Sequence, residues 1–321
     1  MDKNKILEVL KTQTSTVLSF PDRGPWEQSS YRGNCSGYIP AFFANLYKAE
    51  NVAEIFAGSG TTSDVCKDLG ISYTGIDLNP NPVRNDIVSM DILDENKNLP
   101  DGFYNADMLF LHPPYPGINK VRYSNAMWKD TEGNLAARDI QNMPFEEGMK
   151  AVNKAILRGY CALPKGAFEV ILVGEIRANG EYHSMFRSLA LPGEFYQTYI
   201  KMQHNTVSGR CSYGSSMRSL TGQEMIAVIR KPSGYEIAYV IPRTVKSDIR
   251  DCQMPTWKDI VISVMRELGN ANLESIYKAI DGHKKTLNSN TWTAKVRQTL
   301  QQLRDTGLVI NTAPGNWALA V

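Results

Sequence analysis

The sequence predicts an α/β protein: a mostly parallel sheet with helices on both faces, followed by a small helical domain that ends in a hairpin. Three observations carry this expectation. Short apolar runs alternate with helical stretches between residues 52 and 229, as when parallel strands are joined by helical crossovers. Two of those runs end abruptly in Ala57-Gly58-Ser59-Gly60 and in His112-Pro113-Pro114-Tyr115, at the carboxyl ends where such sheets place their binding sites. After Pro255 the pattern changes to three helical segments and two closely spaced extended runs.

In chain order, Val52–Phe56 is the first clear strand, and Thr62–Leu69 is the helix that follows, closed by Gly70. Ser72–Asp77 is the next strand, with a further short one ending at Asp91. Met108–Leu111 is a buried strand. Phe145–Ala162 places Met149, Val152, Ile156 and Leu157 on one helical face, and Glu169–Gly174 and Met225–Ile229 are later strands. From Lys231 to Pro255 the pattern weakens and prolines punctuate it, as in a linker with some strand content. Thr256–Leu268, Leu273–Ile280 and Asn290–Thr306 are helical, and Leu308–Ile310 and Trp317–Leu319 form a hairpin. Three helices and a hairpin are the pattern of a winged helix. The expected domains are therefore residues 1–232, a linker at 233–253, and residues 254–321.

The 321 residues, 42% hydrophobic and 21% charged, are those of an ordinary soluble protein. No apolar run approaches the ~20 residues of a membrane span, and the start lacks the apolar core of a signal peptide, so the expected setting is cytoplasmic. Five scattered cysteines show no metal-ligand spacing, which points to reduced thiols and no metal site. The net charge of +2 hides an asymmetry: residues 201–250 carry +5 and residues 251–321 carry +2, leaving −5 on the first 200. Positive charge gathered on one portion suits a polyanion, although an ordinary solvated face explains it too.

The turn Gly58-x-Gly60-x-x-Ser63 lets backbone approach a ligand, but it lacks a third glycine and a phosphate-binding lysine. By itself it reads equally well as a structural turn. Asp77, at the next strand end, adds weight, because an acid there can accept both ribose hydroxyls of a nucleoside. Asp91 could contact an adenine amino group or be a solvated loop acid. In His112-Pro113-Pro114-Tyr115 two prolines remove two donors and hold the chain extended. Carbonyl oxygens and one flat ring are thereby presented rigidly to a planar substrate.

The tetrapeptide resembles the catalytic motif of amino-directed DNA methyltransferases, usually Asp-, Asn- or Ser-Pro-Pro-Tyr, in a variant with His first. The run Glu54-Ile55-Phe56-Ala57-Gly58-Ser59-Gly60-Thr61-Thr62 resembles their S-adenosylmethionine motif, and Ile76-Asp77-Leu78-Asn79-Pro80 their ribose-binding strand end. Val173–Arg177 and Lys201–Asn205 are similar to members with the His form, and Glu224–Pro232 to the closing strand. The likeness spans about residues 15–232. It implies a Rossmann-like methyltransferase sheet and S-adenosylmethionine held by Phe56, Ala57, Gly58, Gly60, Thr61, Thr62, Asp77, Leu78, Asp91 and His112, with Ser36 and Gly37 closing over the methionine end. For Ser36 and Gly37 a plain helix cap is an equal explanation. It also implies that His112 and the Pro113 carbonyl accept the hydrogens of an exocyclic amine, that Pro114 holds the geometry, and that Tyr115 stacks on a flipped base. A neutral imidazole can accept one hydrogen bond and a protonated one none, which makes His112 the open question of the site.

The resemblance places DNA contacts after the motif, in Asn119–Arg138 with Arg122 and Tyr123, and in His204–Arg218 with Arg210 and Arg218. In the last domain the third helix presents Lys295, Arg297, Gln298 and Gln301, residue types that pair with base edges, while Val296, Leu300 and Leu303 fall at core spacing. That region is similar to the winged helix of some methyl-directed restriction enzymes, though many winged helices bind protein. The function implied is transfer of a methyl group to N6 of adenine in double-stranded DNA within a restriction-modification setting, with a cognate endonuclease as partner. N4 of cytosine, an RNA substrate, and an inactive nucleic-acid-binding regulator are the alternatives.

Overall fold

The computed structural model describes residues 1–26, 31, 33–117, 123–128, 135–178, 181–204, 221–232, 239–240, 255–287 and 289–320. The chain divides into two compact units, Met1–Pro242 and Arg243–Val321. The boundary falls inside the expected linker, most of which lies outside the described residues.

The first unit opens with helix α1 (Lys3–Lys11), strand β1 (Val17–Leu18) and helix α2 (Tyr38–Leu46). Then come β2 (Asn51–Ile55), α3 (Thr61–Leu69), β3 (Ser72–Asp77), β4 (Ile87–Ser89), α4 (Asp101–Tyr104) and β5 (Met108–Leu111). Helix α5 (Phe145–Ala162) leads to β6 (Phe168–Val173), the hairpin β7 (Glu175–Ala178) and β8 (Glu181–Ser184), β9 (Leu191–Pro192), β10 (Glu194–Met202), β11 (Gln223–Arg230) and β12 (Tyr239–Val240). Eight strands form one sheet in the order β1-β10-β11-β6-β5-β2-β3-β4. Only β11 runs against the rest. This is the mostly parallel, Rossmann-like α/β sheet that the alternating pattern predicts.

Alternation along the buried strands sends side chains to two separate cores. Ile55, Leu109, Leu111, Ile171 and Val173 pack with Met149, Val152 and Ile156 of α5. Val52, Met108, Phe110, Val170 and Leu172 pack on the other face with Ile6, Phe43 and Val65 of α1, α2 and α3. The order reverses beside β2, which leads into the glycine turn, while β5, which leads into the Pro-Pro motif, is its neighbour. A crevice is required at their carboxyl ends, because the crossovers leave to opposite faces there.

In the second unit α6 (Trp257–Leu268), β13 (Ala271–Asn272), α7 (Leu273–Ile280), α8 (Lys284–Leu287), α9 (Trp292–Asp305), β14 (Val309–Ala313) and β15 (Asn316–Leu319) follow in turn. Thr256 starts α6 with a capping box to Asp259, and the three strands pair in the order β13-β15-β14. Val296, Leu300 and Leu303 are buried in its core, as their spacing predicts, together with Trp317. Lys295, Arg297, Gln298 and Gln301 are exposed along α9. Among the described residues no helix is long and apolar enough to cross a membrane, and no cluster of His, Cys, Asp or Glu is arranged to hold a metal.

Candidate active site

A cleft opens at the carboxyl ends of β2, β3, β4 and β5. Phe56, Ala57, Gly58 and Ser59 form its rim, with Thr61 and Thr62 of the first turn of α3. Phe56 takes a left-handed backbone angle, φ +67°, rare for an aromatic residue and a local strain that turns the chain sharply off β2. Gly58 is also left-handed, at φ +51°, and a Cβ there would stand 3.3 Å from the Tyr31 ring. Glycine is required both by the angle and by that close approach.

Asp77 is buried at the end of β3, and its two oxygens accept the backbone N–H groups of Gly58 and Asn79, each at 2.8 Å. Burial raises its carboxyl above the usual range, and the two backbone donors oppose that rise. A carboxylate has about four lone-pair positions, so two hydrogen bonds leave room for two more. Those two free acceptor positions fit the vicinal hydroxyls of a ribose. Leu78, Met90 and Ile92 give the same cleft an apolar wall of the kind a purine ring needs.

Glu54 enters from β2 and accepts the Thr62 hydroxyl at 2.6 Å and the Tyr73 hydroxyl at 2.5 Å. Burial pushes its carboxyl up to about 8, against the pull of both hydroxyls, and it ties β2 to α3 and β3 beneath the rim. Above the cleft stand three aromatic rings: Tyr123 lies 6.0 Å from Tyr31 and 5.9 Å from Trp128, ring centre to ring centre. All three line the cleft.

His112 and Pro114 form part of the cleft wall, directly beyond β5. Burial pushes the His112 imidazole down to about 4; Glu224 opposes that shift, and Lys201 and Arg23 reinforce it. The ring is therefore neutral at physiological pH. Tyr115 stands outside the cleft, its ring seated against Gly174, where a Cβ would come within 2.6 Å of it. Its hydroxyl donates to Glu224 Oε1 at 2.6 Å. Glu224 is in turn ion-paired with Lys201. Burial alone would raise the Glu224 carboxyl, but Lys201, and after it His112, bring it down to about 2.

The expected cofactor residues Phe56, Ala57, Gly58, Thr61, Thr62, Asp77, Leu78, Asp91 and His112 all line the cleft. Three sets of expected residues sit differently. Ser36 and Gly37 do not reach it; Gly33, Asn34 and Cys35 do. Ser36 is turned to the Arg23 carbonyl, at 3.4 Å, and a Cβ on Gly37 would meet Trp26 at 2.3 Å. Gly60 does not line it either; at φ +78° it ends the turn ahead of α3, with its N–H on the Ala57 carbonyl. Tyr123, expected at the DNA, lines the cleft, packed between Tyr31 and Trp128.

Asp91 lines the cleft, yet its carboxylate is already engaged by the Arg138 guanidinium and by the Leu93 N–H, so it is not a bare acceptor. Pro113 is buried and lies outside the lining. Arg122, Arg210 and Arg218 lie outside the described residues. Sequence reasoning missed Tyr31, Glu54, Lys201 and Glu224 as parts of the site. A carboxylate next to the apolar run of β11 was the one available signal for Glu224.

No family model matches the chain, and no curated protein matches it. Among solved structures, TrmN from Thermus thermophilus is similar at 15% identity and a TM-score of 0.37, over 62% of this chain; the match spans 50% of TrmN. The N-methyltransferase NodS from Bradyrhizobium japonicum, in complex with S-adenosyl-L-homocysteine, is similar at 12% identity and 0.35, over 71% of this chain and 99% of NodS. A SAM dependent methyltransferase from Archaeoglobus fulgidus follows at 13% identity and 0.35, over 63% and 96% of the two chains. Scores this low assign no substrate to this chain.

Proposed function

We propose that this chain is an S-adenosylmethionine-dependent DNA methyltransferase acting on the exocyclic N6 amine of adenine in a flipped base. The observation that carries the proposal is that His112 and Pro114 line the same cleft as Asp77 and Gly58. A strand-end Pro-Pro motif beside such a cleft puts acceptors for an amine next to the place of a methyl donor.

When bound, S-adenosylmethionine supplies an electrophilic methyl group on a sulfonium that leaves as a neutral thioether. Asp77 would hold its ribose, and Leu78, Met90 and Ile92 would pack its adenine. An exocyclic amine is a poor nucleophile because its lone pair is delocalised into the ring. Acceptors aimed at its two hydrogens favour the reacting geometry as positive charge develops. The His112 imidazole, kept neutral by burial, accepts a hydrogen bond from one amine N–H and the Pro113 carbonyl accepts one from the other; once the methyl group is on nitrogen, the one displaced proton leaves to solvent. Tyr115 stacks on the extruded base, and stacking worth about 1–3 kcal/mol offsets much of the cost of flipping.

Residues 1–232 would form the methyltransferase domain, 233–253 the linker, and 254–321 a winged helix that binds double-stranded DNA. The element order of the second unit and the exposed polar face of α9 support the last of these. The resemblance adds a restriction-modification setting with a cognate endonuclease. Replacing Lys295 and Arg297 together by Ala is expected to lower DNA affinity about tenfold and leave cofactor affinity unchanged. Unaltered DNA affinity would give this face to a protein partner. The functional reading itself is tested by incubating the protein with methyl-labelled S-adenosylmethionine and unmethylated duplex DNA. Label in the DNA is the expected result. Cofactor binding with no label in DNA would favour the regulator, and label in RNA alone would favour an RNA substrate.

A further inference from the structure

Behind the tetrapeptide lies a chain of polar contacts that neither the glycine turn nor stacking by Tyr115 requires. Lys201 of β10 and Glu224 of β11 are cross-strand partners, and their side chains are only 14% and 8% exposed. A buried pair of this kind is costly to assemble, and breaking it by removing one partner is costlier still. From it, contacts run outward through Glu224 to the Tyr115 hydroxyl at 2.6 Å, and from that hydroxyl to His112 Nε2 at 3.4 Å.

The donor directions along this chain are forced. An ammonium only donates, and an ionised carboxylate only accepts. The Tyr115 hydroxyl has a single hydrogen, which Glu224 takes, so Tyr115 offers only lone pairs to His112. The hydrogen between Tyr115 and His112 must then belong to Nε2. We propose that Lys201, Glu224 and Tyr115 are positioning residues that hold His112 in its Nε2–H tautomer, leaving Nδ1 as the one ring nitrogen with a lone pair for a substrate amine. The inference rests on the reading of His112 as the amine acceptor. It explains how imidazole can stand where a carboxylate or amide oxygen is usual: an oxygen accepts in any proton arrangement, whereas a histidine accepts only at whichever nitrogen lacks the proton.

Long-range proton–nitrogen correlation spectra of the full chain with ¹⁵N-labelled histidine test this at neutral pH. The four histidines are distinguished by the signal that His112→Asn removes. The wild-type ring is expected to carry its proton on Nε2, with Nδ1 bare. Tyr115→Phe keeps the ring but loses the acceptor, and the two tautomers become mixed. Glu224→Gln can donate to the Tyr115 oxygen, freeing that hydroxyl to donate to Nε2, so the preference moves toward Nδ1–H. A wild-type ring protonated on Nδ1, or tautomers unmoved in Tyr115→Phe, would overturn the inference even if Glu224→Gln does not fold. Methyl transfer with the other tautomer sinks this inference alone; the stated tautomer without methyl transfer sinks the functional reading alone.

Discussion

Asp77→Ala is expected to weaken S-adenosylmethionine binding by ~10²- to 10⁴-fold. Hydrogen bonds to a charged group contribute about 1.5–3 kcal/mol each, and two ribose hydroxyls are lost together. The same substitution strips the Gly58 and Asn79 N–H groups of their acceptor, so a loss of stability of about 1–3 kcal/mol for each group accompanies it. Asp77→Asn keeps one accepting oxygen and should fall between the two. Calorimetric titration with the cofactor, alongside a thermal melt, separates the effects. An Asp77→Ala variant that remains folded and binds as tightly as the wild type would remove the cofactor site from this cleft.

His112→Leu is expected to lower turnover by ~10²- to 10³-fold with little change in cofactor affinity, the size of effect seen when one aligned hydrogen-bonding group is lost from a reacting centre. The pH dependence has a definite sign. Burial pushes the imidazole down to about 4, so the neutral, accepting form is present above that value and is lost as pH falls through it. Turnover should be level from about pH 6 to about pH 9 and decline on the acid side below about 5. His112→Asn accepts through an oxygen that does not titrate, so its profile loses the part of the acid limb that belongs to this ring. Folding stability follows the same direction. The contribution of the neutral ring is whole above the unfolded value of 6.5 and is lost as pH drops toward 4. An acid limb that persists unchanged in His112→Asn would show that another group sets it.

Much of the sheet was legible because buried strands write themselves as apolar runs. Met108–Leu111 and the helix Phe145–Ala162 occur with the predicted bounds. The strand Glu194–Met202 was invisible for the converse reason: its first four residues are exposed, and its polar and apolar side chains come in adjacent pairs (Phe195-Tyr196, Gln197-Thr198) that break any period-2 pattern. The β7–β8 hairpin is short and rich in charge, so it too gave no periodic signal. Asp77 could be named because strand ends in this kind of sheet have fixed chemistry. Ser36 and Gly37 could not be placed, since nothing in a loop's sequence fixes which of its residues reaches a cleft. Lys201 and Glu224 are 23 residues apart and meet only through the register of β10 and β11. The same holds for Arg138, which occupies Asp91 from 47 residues away. Local pattern encodes elements; pairings across the sheet appear only once the register is known.

The central claim is that this tetrapeptide directs a methyl group to an exocyclic amine of a DNA base. Digestion of enzyme-treated duplex DNA to nucleosides, followed by mass spectrometry, tests it most directly. N6-methyladenine is the predicted product, formed ~10²- to 10³-fold more slowly when His112→Leu protein is used. N4-methylcytosine would keep the chemistry and overturn the choice of base, whereas 5-methylcytosine, or no modified base from protein that still binds the cofactor, would contradict the claim.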